Sequence, residues 1–213
     1  MNGVRILSIE AGPKCSRAHE WCPVTRLGDR KQVMTPDIAD AIIREALARG
    51  FTGEVAFHYY NEPTLYQAFI REVEARLPKV RYLLWTNGDA LTQSFAELFD
   101  RIVVTDYGDL GTLPDHPCIG VIPCEPDQRA SIYDSPVVRD RVVCFRPSFE
   151  LPVDCEGRFH LCCEDWAGTV DMGSIDDIPG AFDQASVARS LLADGTDCPD
   201  VCRRCTNPLG ALP

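Results

Sequence analysis

Short β-rich runs alternate with amphipathic helical stretches through the first half of the chain, and this rhythm restricts the fold more than any other feature of the 213 residues. Parallel strands need long crossovers and helices usually supply them, so the alternation argues for a parallel sheet covered by helices. Val4 to Ile9 is the first run, and it opens into a polar loop from Ala11 to Gln32. Thr35-Pro36-Asp37 then offers an N-cap and a proline at the first helical position, after which Ile38, Ile42, Ile43, Ala46 and Leu47 keep one apolar face until Gly50. Glu54 to His58, Tyr82 to Trp85, Arg101 to Thr105 and Ile119 to Ile122 read as further strands, with helices over Leu65 to Leu77 and Ser94 to Phe99. The segment from Gly108 to Pro117 breaks the rhythm as a Gly, Pro and Asp-rich loop, and Pro123 to Asp140 is also loop-like. The expectation is an α/β fold: a shortened partial (β/α) barrel over residues 1-140.

Beyond Asp140 the pattern changes. Phe149 to Val153 and Arg158 to Leu161 are predicted to form a β-hairpin about Asp154-Cys155-Glu156-Gly157, and a helix is expected before the cysteine pair at the C-terminus. Residues 141-213 are therefore expected to be a small separate domain of β-hairpin plus helix. Eleven cysteines are too many for an ordinary chain of this size. The N-terminal run is too short for a secretory signal and no run approaches a membrane span. Together these place the chain in a reducing cytoplasm, where the cysteines imply metal rather than disulfides. The balance of 21 basic against 32 acidic residues gives a net charge of -11 with the basic residues scattered, which argues against a nucleic-acid partner. No membrane partner is expected.

Two cysteine groups stand out. Cys15, His19 and Cys22 lie in the loop after the first strand, three and then two residues apart, with Trp21 before the last. Cys144, Cys162, Cys202 and Cys205 form a second set that would close a four-thiolate site of iron–sulfur or zinc type. Cys163 adjoins Cys162 and could exchange roles with it, Cys155 and Cys198 are spare, and Cys118 and Cys124 read as core or loop thiols. Two further motifs follow later strands: Asn61-Glu62-Pro63 and Thr86-Asn87-Gly88.

In this order the motifs resemble the radical S-adenosylmethionine superfamily, whose cluster loop carries three cysteines at the spacing of Cys15, His19 and Cys22. The resemblance implies a 4Fe-4S cluster held by those three residues, with His19 in the place of the middle cysteine. It implies contacts to S-adenosylmethionine from Trp21, Asn61, Glu62 and Asn87, with Glu62 toward the ammonium. A neutral imidazole in place of a thiolate makes such a cluster more positive and raises its potential. The segment from Cys144 onward, with Gly157, Leu161-Cys162-Cys163-Glu164-Asp165-Trp166 and the terminal Cys-x2-Cys, resembles a SPASM or shorter twitch domain. That resemblance implies a second, auxiliary 4Fe-4S cluster.

The implied function is generation of a 5′-deoxyadenosyl radical that takes hydrogen from a small-molecule substrate, with a peptide as the alternative substrate. A reductase or flavodoxin-type protein would supply electrons. The chain starts at its first strand with no preceding leader-binding domain, which favours the small molecule. His19 and the contracted segment after Tyr107 support a second reading, an iron–sulfur electron-transfer or scaffold protein that does not cleave S-adenosylmethionine. A zinc-stabilised interaction module is the third. Tyr59, Tyr60, Asp106, Tyr107, Arg146 and Glu150 are candidate groups at the mouth, and none is assigned as catalytic acid or base.

Overall fold

The computed structural model describes residues 3–126, 129–140, 142–195 and 198–206. Asp127 and Gln128 of the expected loop, and the last seven residues of the expected C-terminal domain, lie outside the described residues.

Six strands form one sheet in the order β5-β4-β3-β2-β1-β6, every neighbouring pair parallel. The chain runs β1 (Ile6–Ile9), α1 (Pro36–Ala48), β2 (Glu54–Ala56), α2 (Gln67–Arg76), β3 (Arg81–Thr86), α3 (Gln93–Ala96), β4 (Arg101–Asp106), β5 (Ile119–Pro123), α4 (Arg146–Phe149), β6 (Glu150–Val153), α5 (Ile178–Asp194) and α6 (Asp200–Arg204). Thr35 caps α1 as its composition predicts, accepting from the N–H of Ile38 at 3.4 Å. The face expected of α1 is shifted by one residue. Ala39, Ile42, Ile43 and Ala46 are buried, whereas Leu47 is exposed, because α1 lies against α2 and α5 along the narrower stripe.

Several expected boundaries move. The stretch from Leu65 begins in a 3-10 turn, Pro63–Tyr66, since Glu62 caps it and Pro63 stands at its first position, so α2 starts only at Gln67. The Ser94 to Phe99 helix is α3, one residue earlier and shorter. Within the Pro123 to Asp140 loop a 3-10 helix, Arg129–Asp134, buries Ala130 and Ile132. The largest difference concerns the hairpin. Its first arm is β6, which leaves the expected second domain to pair with β1 in register Ile6↔Glu150 through Ile9↔Val153. Its second arm is reduced to single bridges, Val153↔Phe159 and Arg158↔Ser174. A six-stranded sheet therefore gains its last strand from beyond Asp140.

The two faces of the sheet differ. Leu7, Ile9, Val55, Phe57, Tyr82, Leu84, Ile102, Val104, Leu151 and Val153 join the helices in the main core. The opposite face carries only a small apolar patch of Ile6, Ala56 and Leu83 with Val103 against it. Around that patch the strands present Ser8, Glu150 and Trp85, and Trp85 is 37% exposed although β3 reads as a buried strand. This second face is a polar bowl.

Candidate functional site

The loops after β1, β2 and β3 leave the sheet at the same, C-terminal edge, where parallel barrels build their sites. Hydrogen bonds stitch the three together. The N–H of Glu62 donates to the carbonyl of Lys14 at 2.8 Å, joining the second loop to the first. Glu62 is 2% exposed and holds the third loop as well: its Oε1 accepts from the N–H and hydroxyl of Thr64 at 3.0 and 2.8 Å and from the Thr86 hydroxyl at 2.6 Å. Its Oε2 accepts from the N–H of Asn87 at 2.9 Å. Asn87 in turn donates to the hydroxyl of Ser16 at 2.8 Å in the first loop. Gly88 has φ +83, a left-handed conformation that lets the loop turn sharply so that the Asp89 N–H reaches Asn87 Oδ1 at 2.9 Å. Arg17 then bridges Asp89, at 2.5 Å, and Asp109, at 2.8 Å. These partners hold Asp89 below the ordinary carboxylate range, with Arg17 the largest cause.

Within the first loop Cys22 stands close enough to Cys15 to disfavour its ionisation. Burial first, then Glu62, Cys22 and Asp89, push the Cys15 thiol up to about 11, against a hydrogen bond from the Arg17 N–H. His19 lies between two rings, its centroid 4.5 Å from Trp21 and 4.3 Å from Tyr107. Burial, aided by the Arg17 charge and opposed by Asp109, lowers its pKa and so favours the neutral imidazole. Trp21, expected to border S-adenosylmethionine, stacks on His19. Asn61, by contrast, is turned to its own loop: it donates to the Phe57 carbonyl at 3.3 Å and accepts from the Tyr59 N–H at 3.1 Å.

A residue the sequence reading passed over ties the same edge together. Glu10, fully buried at the end of β1, accepts two bonds from Arg30 at 2.6 and 2.9 Å, one from the Tyr60 N–H at 3.1 Å and one from the Cys155 N–H at 3.0 Å. It joins the loops of β1, β2 and β6. A carboxylate directly after an apolar strand run was the signal that could have marked it.

The second cysteine group also meets. Cys144, Cys162, Cys202 and Cys205 are all buried and line one cavity of ≈ 330 Å³, open mouth included, with Val142, Pro147 and Val201 as its apolar walls and Arg146 and Glu164 beside them. Cys163 is not in that wall. It takes a bond from Arg146 at 3.5 Å instead, and the Tyr60 hydroxyl donates to its carbonyl. Burial pushes the Cys163 thiol up to about 12, against the charges of Arg129 and Arg146. Behind the cavity His160 is fixed between the Asp165 carbonyl at 2.9 Å and Asp154 at 3.0 Å. Among the described residues no disulfide joins any of the eleven cysteines, and no three His, Cys, Asp or Glu side chains converge closely enough for a single metal ion. Of the other candidates, Tyr59 donates to the carbonyls of Cys162 and Asp165 at 3.5 and 3.3 Å, and Asp106 caps a turn at the Gly108 N–H at 2.7 Å.

A parallel sheet whose first three loops meet at one edge, with a cysteine loop first, is the arrangement expected of the radical S-adenosylmethionine superfamily, and this chain is similar in sequence and in fold to proteins that depend on or bind S-adenosylmethionine. More particularly, it is 28% identical over 112 residues to the S-adenosyl-L-methionine-dependent 2-deoxy-scyllo-inosamine dehydrogenase of Niallia circulans. That match covers 48% of this chain and 44% of the relative, so it spans less than half of the relative's length. The fold is similar to the crystal structure of BtrN in complex with AdoMet and 2-DOIA, with a TM-score of 0.74 at 22% identity over 96% of this chain and 93% of that one. Streptococcus suis SuiB bound to the precursor peptide SuiA shares the fold more distantly, with a TM-score of 0.51 at 11% identity over 95% of this chain and 71% of that one. No family model matches the sequence. Among the described residues no helix is long and apolar enough to cross a membrane.

Proposed function

We propose that the protein is a radical S-adenosylmethionine oxidoreductase that takes hydrogen from an alcohol carbon of a small, polyhydroxylated substrate. The observation that carries this reading is the buried carboxylate of Glu62, which locks the Asn61-Glu62-Pro63 and Thr86-Asn87-Gly88 loops onto the cysteine loop. The small-molecule class is supported by the dehydrogenase relative and by the fold likeness that covers nearly all of BtrN, against 71% of SuiB.

In this reading Cys15, His19 and Cys22 hold a 4Fe-4S cluster. A histidine can serve there because a neutral imidazole is the ligating form, and burial favours that form of His19. Trp21, Asn61, Glu62 and Asn87 border S-adenosylmethionine; among the described residues Oε2 of Glu62 accepts one bond, from the Asn87 N–H, which leaves capacity for an ammonium. The bound cofactor supplies the hydrogen-abstracting radical when a reductase or flavodoxin-type partner delivers an electron. The protein's own part is to hold three loops rigid and to keep water from the bowl.

Residues 141-213 act as a twitch-like unit with one auxiliary 4Fe-4S cluster on Cys144, Cys162, Cys202 and Cys205. That the four thiols line one cavity supports a shared metal group there, and Cys162, unlike Cys163, is among the lining residues.

Anaerobic iron and sulfide quantification with electron paramagnetic resonance, with and without S-adenosylmethionine, tests the whole reading. Wild type is expected to carry about eight irons per chain and a signal that S-adenosylmethionine perturbs. His19→Cys is expected to keep both clusters and to lower the first cluster's potential by on the order of 100 mV. About four irons with no response, restored in His19→Cys, overturns the radical reading and leaves an iron–sulfur electron-transfer or scaffold protein.

A further inference from the structure

The bowl face of the sheet holds one cluster of polar groups that the cofactor loops do not use. Glu150, the first residue of β6, projects from the same face as its register partner Ile6, and its Oε1 accepts from the Ser8 hydroxyl at 2.6 Å. His58 lies across from them, beyond the end of β2, with its Nε2 3.6 Å from the same oxygen and its ring 5.4 Å from Trp85. The indole of Trp85 donates to Thr105 at 3.0 Å, which extends the row to β4. Four strands and the loop after β2 thus place Glu150, Ser8, His58, Trp85 and Thr105 on one surface. Glu150 and His58 retain partial exposure, at 13% and 18% of their side chains, so a ligand on that surface reaches them.

Two features show that the row is incomplete by itself. The Nδ1 of His58 is buried and has no partner, and a buried N–H left unpaired is rarer than a bare acceptor, so the ring proton is assigned to Nε2. That N–H then faces Glu150 across a gap too long for a hydrogen bond. A substrate hydroxyl bridging the two from the open side of the bowl would accept from His58 and donate to Glu150, matching both groups. Ser8 meanwhile fixes the carboxylate's rotamer. The four-cysteine cavity lies near this place, because Arg146 lines it and bonds Cys163 at 3.5 Å, and Cys163 is close enough to Glu150 to feel its charge.

We propose that Glu150 is the catalytic residue that accepts the hydroxyl proton of the alcohol substrate, with His58 as the donor that orients that hydroxyl and Ser8 as the positioning residue for the carboxylate. This rests on the oxidoreductase reading above. The alcohol carbon gives a hydrogen atom to the 5′-deoxyadenosyl radical made from S-adenosylmethionine with one electron from an external reductant. The carbon then loses one electron to an oxidised iron–sulfur cluster and the hydroxyl proton to Glu150. One C–H and one O–H bond break, the C=O bond forms, and the alcohol is oxidised by two electrons. A carboxylate on the floor of the bowl fits a substrate of amino-alcohol or polyol type, since it serves a hydroxyl or an ammonium equally.

The test uses the reconstituted holoprotein with dithionite, S-adenosylmethionine and 2-deoxy-scyllo-inosamine as probe. Ketone formed per 5′-deoxyadenosine released is measured, together with probe binding by calorimetry. Glu150→Gln is expected to lower that ratio at least tenfold while probe binding changes less than threefold, and Glu150→Asp to restore part of it. Ser8→Ala, which keeps the carboxylate, should lower the ratio about twofold, and it stands in if Glu150→Gln fails to fold. A merely structural role for Glu150 lowers both products together and leaves the ratio unchanged, which overturns the proposal. Wild type that makes 5′-deoxyadenosine but no ketone from the probe overturns the substrate class alone. Wild type that makes no 5′-deoxyadenosine removes the parent reading and this one with it.

Discussion

The two cysteine regions are held by opposite means. The loop of Cys15, His19 and Cys22 sits at the surface edge of the sheet, and charged or polar links fix it: Glu62 to Thr86 and Asn87, Asn87 to Ser16, Arg17 to Asp89 and Asp109. The cavity of Cys144, Cys162, Cys202 and Cys205 is walled by Val142, Pro147 and Val201 and takes its shape from packing between segments far apart in sequence. Polar stitching leaves a site open for exchange of small ligands, whereas an apolar wall encloses what it binds. The first region suits a cofactor that must come and go, and the second suits a resident group.

That contrast breaks first at the enclosed site. Replacing Cys202 and Cys205 together by Ser should remove about four irons per chain and lower the melting temperature by roughly 10 °C, because a bound metal group contributes directly to folding free energy. A double variant that keeps its iron would count against the proposed cluster on these cysteines, and one that loses iron with no change in melting would mean that the cavity keeps its shape without it.

At the stitched edge the expected effect is of similar size and comes from buried polar groups left without their partner. Glu10→Leu leaves the Arg30 guanidinium buried without its carboxylate, and removing one partner of a buried pair costs about 3–5 kcal/mol. Urea denaturation of the apoprotein reads this directly. Iron content at the C-terminal site should be retained, and its loss would show that the two regions are coupled through Cys155 rather than built separately.

The smallest effect belongs to the support behind the cavity. Burial alone would raise the Asp154 pKa, but His160 and Arg158 outweigh it and hold the carboxyl below its ordinary range. A depressed pKa stabilises the fold above the unfolded value near 3.9, and that stability is lost as pH falls through the folded value. Asp154→Asn is therefore expected to cost about 1–2 kcal/mol at neutral pH, with the gap to wild type closing below about pH 4. A gap that stays constant with pH would assign the cost to packing.

Much of this was legible in the residues. The alternation of apolar runs marked β1 to β5 and α1, because parallel strands and their crossover helices each impose a local period. The three motifs at the C-terminal ends of β1, β2 and β3 were likewise visible, since each is a short contiguous stretch beside a strand end. The shortening of α2 was less so, although Glu62-Pro63 carried the cap that caused it. Leu47 and Trp85 were misjudged because exposure of a single apolar residue depends on what packs opposite it, and no local period records that.

By itself the sequence determined an α/β chain with two cysteine groups and an ordered set of loops, as these follow from local periodicity and spacing. Only the tertiary structure decided that β6 crosses the expected boundary to pair with β1, that Glu10 joins three loops, and that Glu150, Ser8 and His58 share one face. The pairs involved are separated by up to 145 residues. Contacts at that range are set by the register of the sheet and by the need to satisfy buried charge, neither of which any short stretch of residues contains.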